Sequence, residues 1–151
     1  MSFKLSKKSL KKLEGVDRQL VMVVESAIKL STVDFSIICG LRTLEQQKAL
    51  FKSGASQTMK SKHLTGRAVD VMAFIGNRAS WELELYDNVA NSFRIAATRL
   101  GVPIRWGGAW HCRDITKTNR RTMYQVHLSY IDFKRKKGQR PFIDAPHFEL
   151  N

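Results

Sequence analysis

The chain is short of cysteine, short of acid and without a long apolar run, and each shortage removes a class of protein. Two cysteines, Cys39 and Cys112, cannot build a disulfide framework, and two thiols alone do not define a metal site. Cys39 lies in the apolar run FSIICG and reads as a buried core thiol; Cys112 follows His111 in a polar segment, where a His-Cys pair is incidental. No run of about 18 or more apolar residues occurs, so no transmembrane helix is expected. The opening MSFKLSKKSLKKLEG is basic but has no apolar h-region and no small-residue cleavage site. No Sec signal peptide is therefore expected, and the chain should remain in the cytoplasm of the cell that makes it. Repeats and low-complexity linkers are absent too, and 151 residues suit a single domain, 1–151, with a real core.

What is plentiful is positive charge. There are 26 Lys and Arg against 13 Asp and Glu, a formal net of +13. Such a surface favours a polyanion, whether nucleic acid, lipid head groups or an acidic cell envelope. No DNA- or RNA-binding motif accompanies the charge, so no specific nucleic-acid partner is expected. The basic residues gather at 4–18 and 113–140.

Periodicity predicts a helix from about Asp17 to Leu30, with Leu20, Val23, Val24, Ala27 and Leu30 facing the core. FSIICG reads as a buried strand closed by Gly40. Thr43, with Gln46 three residues on, forms a capping-box pattern for a helix to about Ser53. RAVDVMAF reads as a second strand. Ser80 is placed to cap a helix whose stripe is Leu85, Val89, Phe93, Ala96 and Leu100, ended by Gly101 and Pro103. IRW and the late HFEL are short strands. These elements predict an α+β domain, a small and mainly antiparallel sheet packed with helices. Residues 111–143 show no clear period; they read either as a solvated loop or hairpin or as a wall of a cleft in contact with an anionic envelope.

Two segments carry residues able to do chemistry. SKHLTGRAVD sets His63 before a turn at Gly66 and Asp70 inside an apolar strand, where an unpaired carboxylate is costly. If the turn returns the imidazole to the carboxylate, the pair is either a buried His–Asp hydrogen bond or two ligands of a metal such as zinc. DAPHFEL sets Asp144 three residues before His147 across Pro146, in extended rather than helical chain. His147 is a candidate third ligand. Asp144 is either a carboxylate just outside the metal's ligands or a surface charge.

The pattern Ser61-x-His63-x-x-Gly66-x-Ala68-x-Asp70, followed far downstream by His147, resembles the VanY-like D-Ala-D-Ala carboxypeptidase superfamily. Within it the chain is most similar to bacteriophage endolysins that are L-alanyl-D-glutamate endopeptidases. MSFKLS, GLRTLEQQKALFKSG, SKHLTGRAVD, RWGGAW and DAPHFEL have counterparts there in this order. The resemblance implies a zinc site at the sheet with His63, Asp70 and His147 as ligands, and Asp144 as the acid that activates water. It implies that Arg42, in GLRT, binds substrate or steadies the developing oxyanion, a role a guanidinium past a strand end also suits on physical grounds. Gln47 and Leu50 fit the family's helix as scaffold. The implied reaction is hydrolysis of the L-Ala–D-Glu bond of peptidoglycan stem peptides by a monomer, released by a holin from the host cytoplasm to the periplasm and cell wall. The alternatives are a D,D-carboxypeptidase trimming terminal D-Ala, or a basic envelope- or nucleic-acid-binding protein with a structural zinc. Two departures stand out: Ala109 replaces an Asp common in relatives, and 33 residues separate Trp110 from Asp144, a probable basic insertion at 111–143 that includes KRKKGQR, His111 and His127.

Overall fold

A computed structural model describes residues 2–151. Helix α1 (Lys7–Lys12) leads into α2 (Arg18–Leu30), whose start is fixed by Asp17 accepting from Gln19 N at 2.9 Å. Strand β1 (Asp34–Cys39) is followed by α3 (Leu44–Lys52), which opens with the expected capping box of Thr43 and Gln46. A single 3₁₀ turn, Lys62–Thr65, precedes β2 (Ala68–Ile75), and β2 turns back into β3 (Arg78–Ser80). The long helix α4 (Leu83–Leu100), β4 (Ile104–Trp106), α5 (Met123–Lys136) and β5 (His147–Leu150) complete the chain.

All strand pairs are antiparallel, in the order β1-β2-β5-β4, with β3 beside the far half of β2. The α+β class read from the pattern is the class observed. Because strand side chains alternate, one face of this sheet carries Phe35, Ile37, Val69, Val71, Phe148 and Leu150, all buried in the core with α2 and α4. Phe93 of α4 stacks on Phe148 with centroids 3.9 Å apart, a pairing worth about 0.5–1.5 kcal/mol beyond area burial. The opposite parity of the same strands sets Asp70, His147 and Glu149 on the other face. A polar residue inside an apolar strand is thus explained by period two alone.

Three expectations are corrected. Ser80 belongs to β3, and α4 starts at Leu83 with Glu82 in the N-cap position, where it makes no side-chain cap; Ser80 Oγ instead accepts from Glu82 N. Leu100 is exposed, and the buried side of α4 includes Tyr86, Ala90 and Ala97. Residues 111–143 are not simply a solvated loop or hairpin. They hold α5, opened by a capping box of Thr122 and Gln125, with Met123, Val126, His127 and Tyr130 buried against the core. Asn91 of α4 accepts from Met123 N at 2.9 Å and so fixes where α5 begins.

Candidate metal centre and cleft

Each candidate ligand is set by local backbone. His63 sits in the 3₁₀ turn, where Ser61 Oγ accepts from His63 N and Gly66 closes the turn in the left-handed region at φ 69°. A β-carbon at Gly66 would also collide with Gly15 O, and Asp17 N donates to Gly66 O at 2.8 Å. The turn therefore lies flat on residues 15–17. Asp70 projects from β2, opposite His147 in the register with β5 and opposite Cys39 in the register with β1.

The Asp144–His147 turn is held on three sides. Asp144 N donates to Gly107 O, Trp106 Nε1 to Ala145 O, and Val71 N to Pro146 O, at 2.9, 2.7 and 3.0 Å. Gly107 must be glycine for this, because a β-carbon there would run into Asp144 O.

The four residues singled out in the sequence converge. His63 Nε2 is 3.2 Å from Asp70 Oδ2, and His147 Nδ1 is 3.0 Å from Asp70 Oδ1. The two imidazoles meet edge to face, centroids 5.1 Å apart. Asp70, Asp144 and His147 offer donor atoms within 4.8 Å of one another, and so do Cys39, His63 and Asp70.

The second nitrogen of each ring shows how the site is poised. His63 Nδ1 faces Gly40 O at 2.8 Å, and a carbonyl can only accept, so this nitrogen carries the proton. His63 Nε2 is then left buried and, among the described residues, without a hydrogen-bond partner, since the approach to Asp70 lacks the required angle. His147 Nε2 lies 2.8 Å from Glu149 Oε1, which leaves Nδ1 toward Asp70. Two imidazoles, each beside one oxygen of the Asp70 carboxylate, form a donor set of the kind that holds a divalent metal of the zinc type.

The charges agree. Burial alone would raise the Asp70 carboxyl, but the hydrogen bond to His147 and the close approach of His63, with the charge of both rings, hold it well below the usual carboxylate range. Burial would lower both imidazoles, yet without a cation Asp70 draws protons onto them, taking His63 to about 10 and His147 to about 9. Asp144 is shifted the other way: burial raises its carboxyl, and the Asp70 charge adds to that against the neighbouring cationic groups.

Arg42 is present but engaged. Its Nη1 donates to Gln47 Oε1 at 2.6 Å, and its Nη2 reaches Cys39 Sγ at 3.3 Å and Asp70 Oδ2 at 3.5 Å. Gln47 is fully buried and also donates to Ser56 Oγ and Thr58 O, so this scaffold residue aims Arg42 and anchors the loop over the cleft. Cys39 corrects its reading as a core thiol: it is half-buried beside His63 and Arg42. Ala109 is buried in the core rather than facing the cleft. His111 meets Ser129 Oγ, and His127 Nδ1 meets Gly108 O, so both tie α5 to the Gly107–Trp110 turn. Sequence reading passed over Lys62 and Glu149, which form an ion pair at 3.3 Å beside His147; the signal available was a charged residue at the site-facing parity of HFEL.

The site opens into a cleft of about 540 Å³ whose walls include Leu50, Lys60, Arg105, Trp110 and Phe142. Trp110 packs against His147 with centroids 5.3 Å apart and is stacked in turn by Phe142. The arrangement brings two imidazoles, two carboxylates and basic walls together in one open groove.

Known proteins share this frame. The family model described as phage L-alanyl-D-glutamate peptidase matches residues 1–131. The L-alanyl-D-glutamate peptidase of Escherichia phage T5 is 37% identical over 115 residues, covering 74% of this chain and 84% of that protein. The L-alanyl-D-glutamate peptidase of Listeria phage A118 is 43% identical over 70 residues, 46% of this chain and 24% of that one. The crystal structure of the Serratia marcescens L-Ala D-Glu endopeptidase ChiX superposes with a TM-score of 0.75 at 33% identity, covering 99% of this chain and 91% of that one. The family match ends before Asp144 and His147, whereas the ChiX superposition spans nearly the whole chain. On these grounds the chain belongs to the phage L-alanyl-D-glutamate peptidase family.

Proposed function

We propose that this protein hydrolyses the L-alanyl–D-glutamate bond of peptidoglycan stem peptides, with zinc held by His63, Asp70 and His147. The observation that carries the reading is the convergence of the orphaned His63 Nε2, the Asp70 carboxylate and His147 Nδ1 beside Asp144, in a chain of this family. When bound, zinc supplies Lewis acidity, acidifying water and polarising the scissile carbonyl. Asp144 takes the proton of the attacking water and returns it to the leaving amine of D-Glu. Burial raises its carboxyl toward the range in which one group can do both. Arg42, fixed by Gln47, directs positive charge at the cleft where the oxyanion develops. Lys60 and Arg105 give the walls the sign that a carboxylate-rich peptide needs. The chain acts as one domain and as a monomer. It works on the cell wall after a holin opens the host membrane; among the described residues no helix is long and apolar enough to cross a membrane by itself.

Mass spectrometry of a muropeptide digest tests bond and class together. Products split between L-Ala and D-Glu are expected, and Asp144→Ala should give none while keeping its metal. Loss of a single terminal D-Ala would establish a carboxypeptidase instead, and equal lysis by Asp144→Ala and the parent would leave only a binding protein.

A further inference from the structure

Glu149 and Lys62 take no part in the chemistry proposed above, yet they are built into the site. His147 and Glu149 are two residues apart on β5, so they share a face, and Glu149 is buried there. Its Oε1 lies 2.8 Å from His147 Nε2. Its Oε2 lies 3.3 Å from Lys62 Nζ, and the same ammonium donates to Leu150 O at 2.5 Å. Lys62 immediately precedes His63 in the 3₁₀ turn. The chain of contacts therefore runs from one histidine's turn, through an ammonium and a carboxylate, to the other histidine's ring.

Both neighbouring carboxylates can only accept; once a cation takes the place of the Nδ1 proton beside Asp70, Glu149 keeps the remaining His147 proton on Nε2 and leaves the Nδ1 lone pair on the cation's side. Without that acceptor the neutral ring has no reason to prefer this tautomer, and it is free to turn. The ion pair does a second thing. It joins the 3₁₀ turn to β5 and fixes the separation of the two imidazoles from outside the metal's own ligands.

We propose that Glu149, held by Lys62, is a positioning residue that fixes the orientation of the His147 ring and holds its Nε2 proton, so that Nδ1 is the nitrogen offered to the metal. This rests on the zinc reading of the site. Outer carboxylates of this kind change metal affinity about 10–100-fold when removed.

The test is zinc affinity by competition with a chromophoric chelator, measured on the parent chain, Glu149→Gln, Glu149→Met and His63→Ala. Glutamine keeps an acceptor oxygen for His147 Nε2–H and methionine does not. Glu149→Met should bind zinc about 10–100-fold more weakly, and Glu149→Gln should stay within about threefold of the parent. Parent-like affinity in Glu149→Met, or equal losses in both variants, overturns the proposal. Zinc binding by the parent that His63→Ala leaves untouched overturns the metal-site reading itself, a distinguishable outcome. Should Glu149→Met fail to fold, nitrogen NMR of histidine-labelled, zinc-loaded parent protein decides. A protected Nε2–H on His147 supports the relay, and a proton on Nδ1 overturns it.

Discussion

At Asp70 one carboxylate faces two imidazoles and a guanidinium, and the guanidinium is there because of Gln47. That buried glutamine uses its carbonyl on Arg42 and its amide on Ser56 and Thr58. Gln47→Leu keeps the volume but strands these partners, at a cost of about 1–3 kcal/mol in stability. We expect turnover to fall about 10–100-fold with zinc stoichiometry unchanged, a loss of about 1.4–2.8 kcal/mol in the transition state. Unchanged kcat in a metal-replete variant would show that Arg42 need not be aimed. A second buried carboxyl, Asp87 on α4, has an orphaned oxygen and lies beneath the surface away from the cleft. Burial raises it to about 6, with the His127 charge pulling down and Glu84 pushing up. Since its folded value lies above 3.8, its contribution is fully present below about pH 3.8 and lost as pH rises through 6. Asp87→Asn should therefore stabilise the protein at pH 8 by up to about 3 kcal/mol and change little at pH 4. Urea titrations at the two pH values check this, and equal effects at both would refute it.

Among the elements, α5 most changes what an experiment should do. Removing residues 112–140 would strip Met123, Val126 and Tyr130 from the core and detach the Gly107–Trp110 turn that His127 holds. Such a deletion is expected to unfold the chain rather than trim a loop, visible as loss of a cooperative thermal transition. A milder probe is Asn91→Ala, which removes the acceptor for Met123 N and should cost about 1 kcal/mol. Helix α5 was illegible in the sequence because its buried face is narrow and includes a histidine, while Tyr124 and Leu128 on its outer side are exposed. The apolar period is thereby blurred. By contrast α2, α3, β1, β2, β4 and β5 were legible, because cap residues and strand alternation are local. The ligand cluster was readable only through ordered motifs, since nothing local tells His63 that it will meet His147. Lys62 and Glu149 were missed, and Gln47 and Cys39 were read only as scaffold and core thiol, for the same reason: their contacts exist only in the sheet register and the loops that close on it.

For the whole molecule the formal net charge of +13 outweighs any one ion pair. Much of it is exposed on α1 and on the C-terminal turn of α5, where Lys134, Arg135 and Lys136 cluster. Attraction to an anionic wall should bring enzyme to substrate, and it should fade once the Debye length shrinks. We expect wall sedimentation to decline steeply between about 50 and 200 mM salt, while cleavage of a small soluble muropeptide declines far less. Parallel declines would assign the charge to the cleft rather than to the surface.

Strand β5 lies between β2 and β4, yet it is the last of the strands to be made. Asp70 and His147 are 77 residues apart in the chain. Until β5 inserts, the sheet has a gap in its middle and the ligand set lacks its second histidine. Long-range closure of this kind is slow, and a metal that binds only the closed form holds it shut. If zinc is held as proposed above, completion of the fold and creation of the metal site are one event. On that reading a chelator is expected to act on this protein partly as a denaturant, pulling β5 and β2 apart.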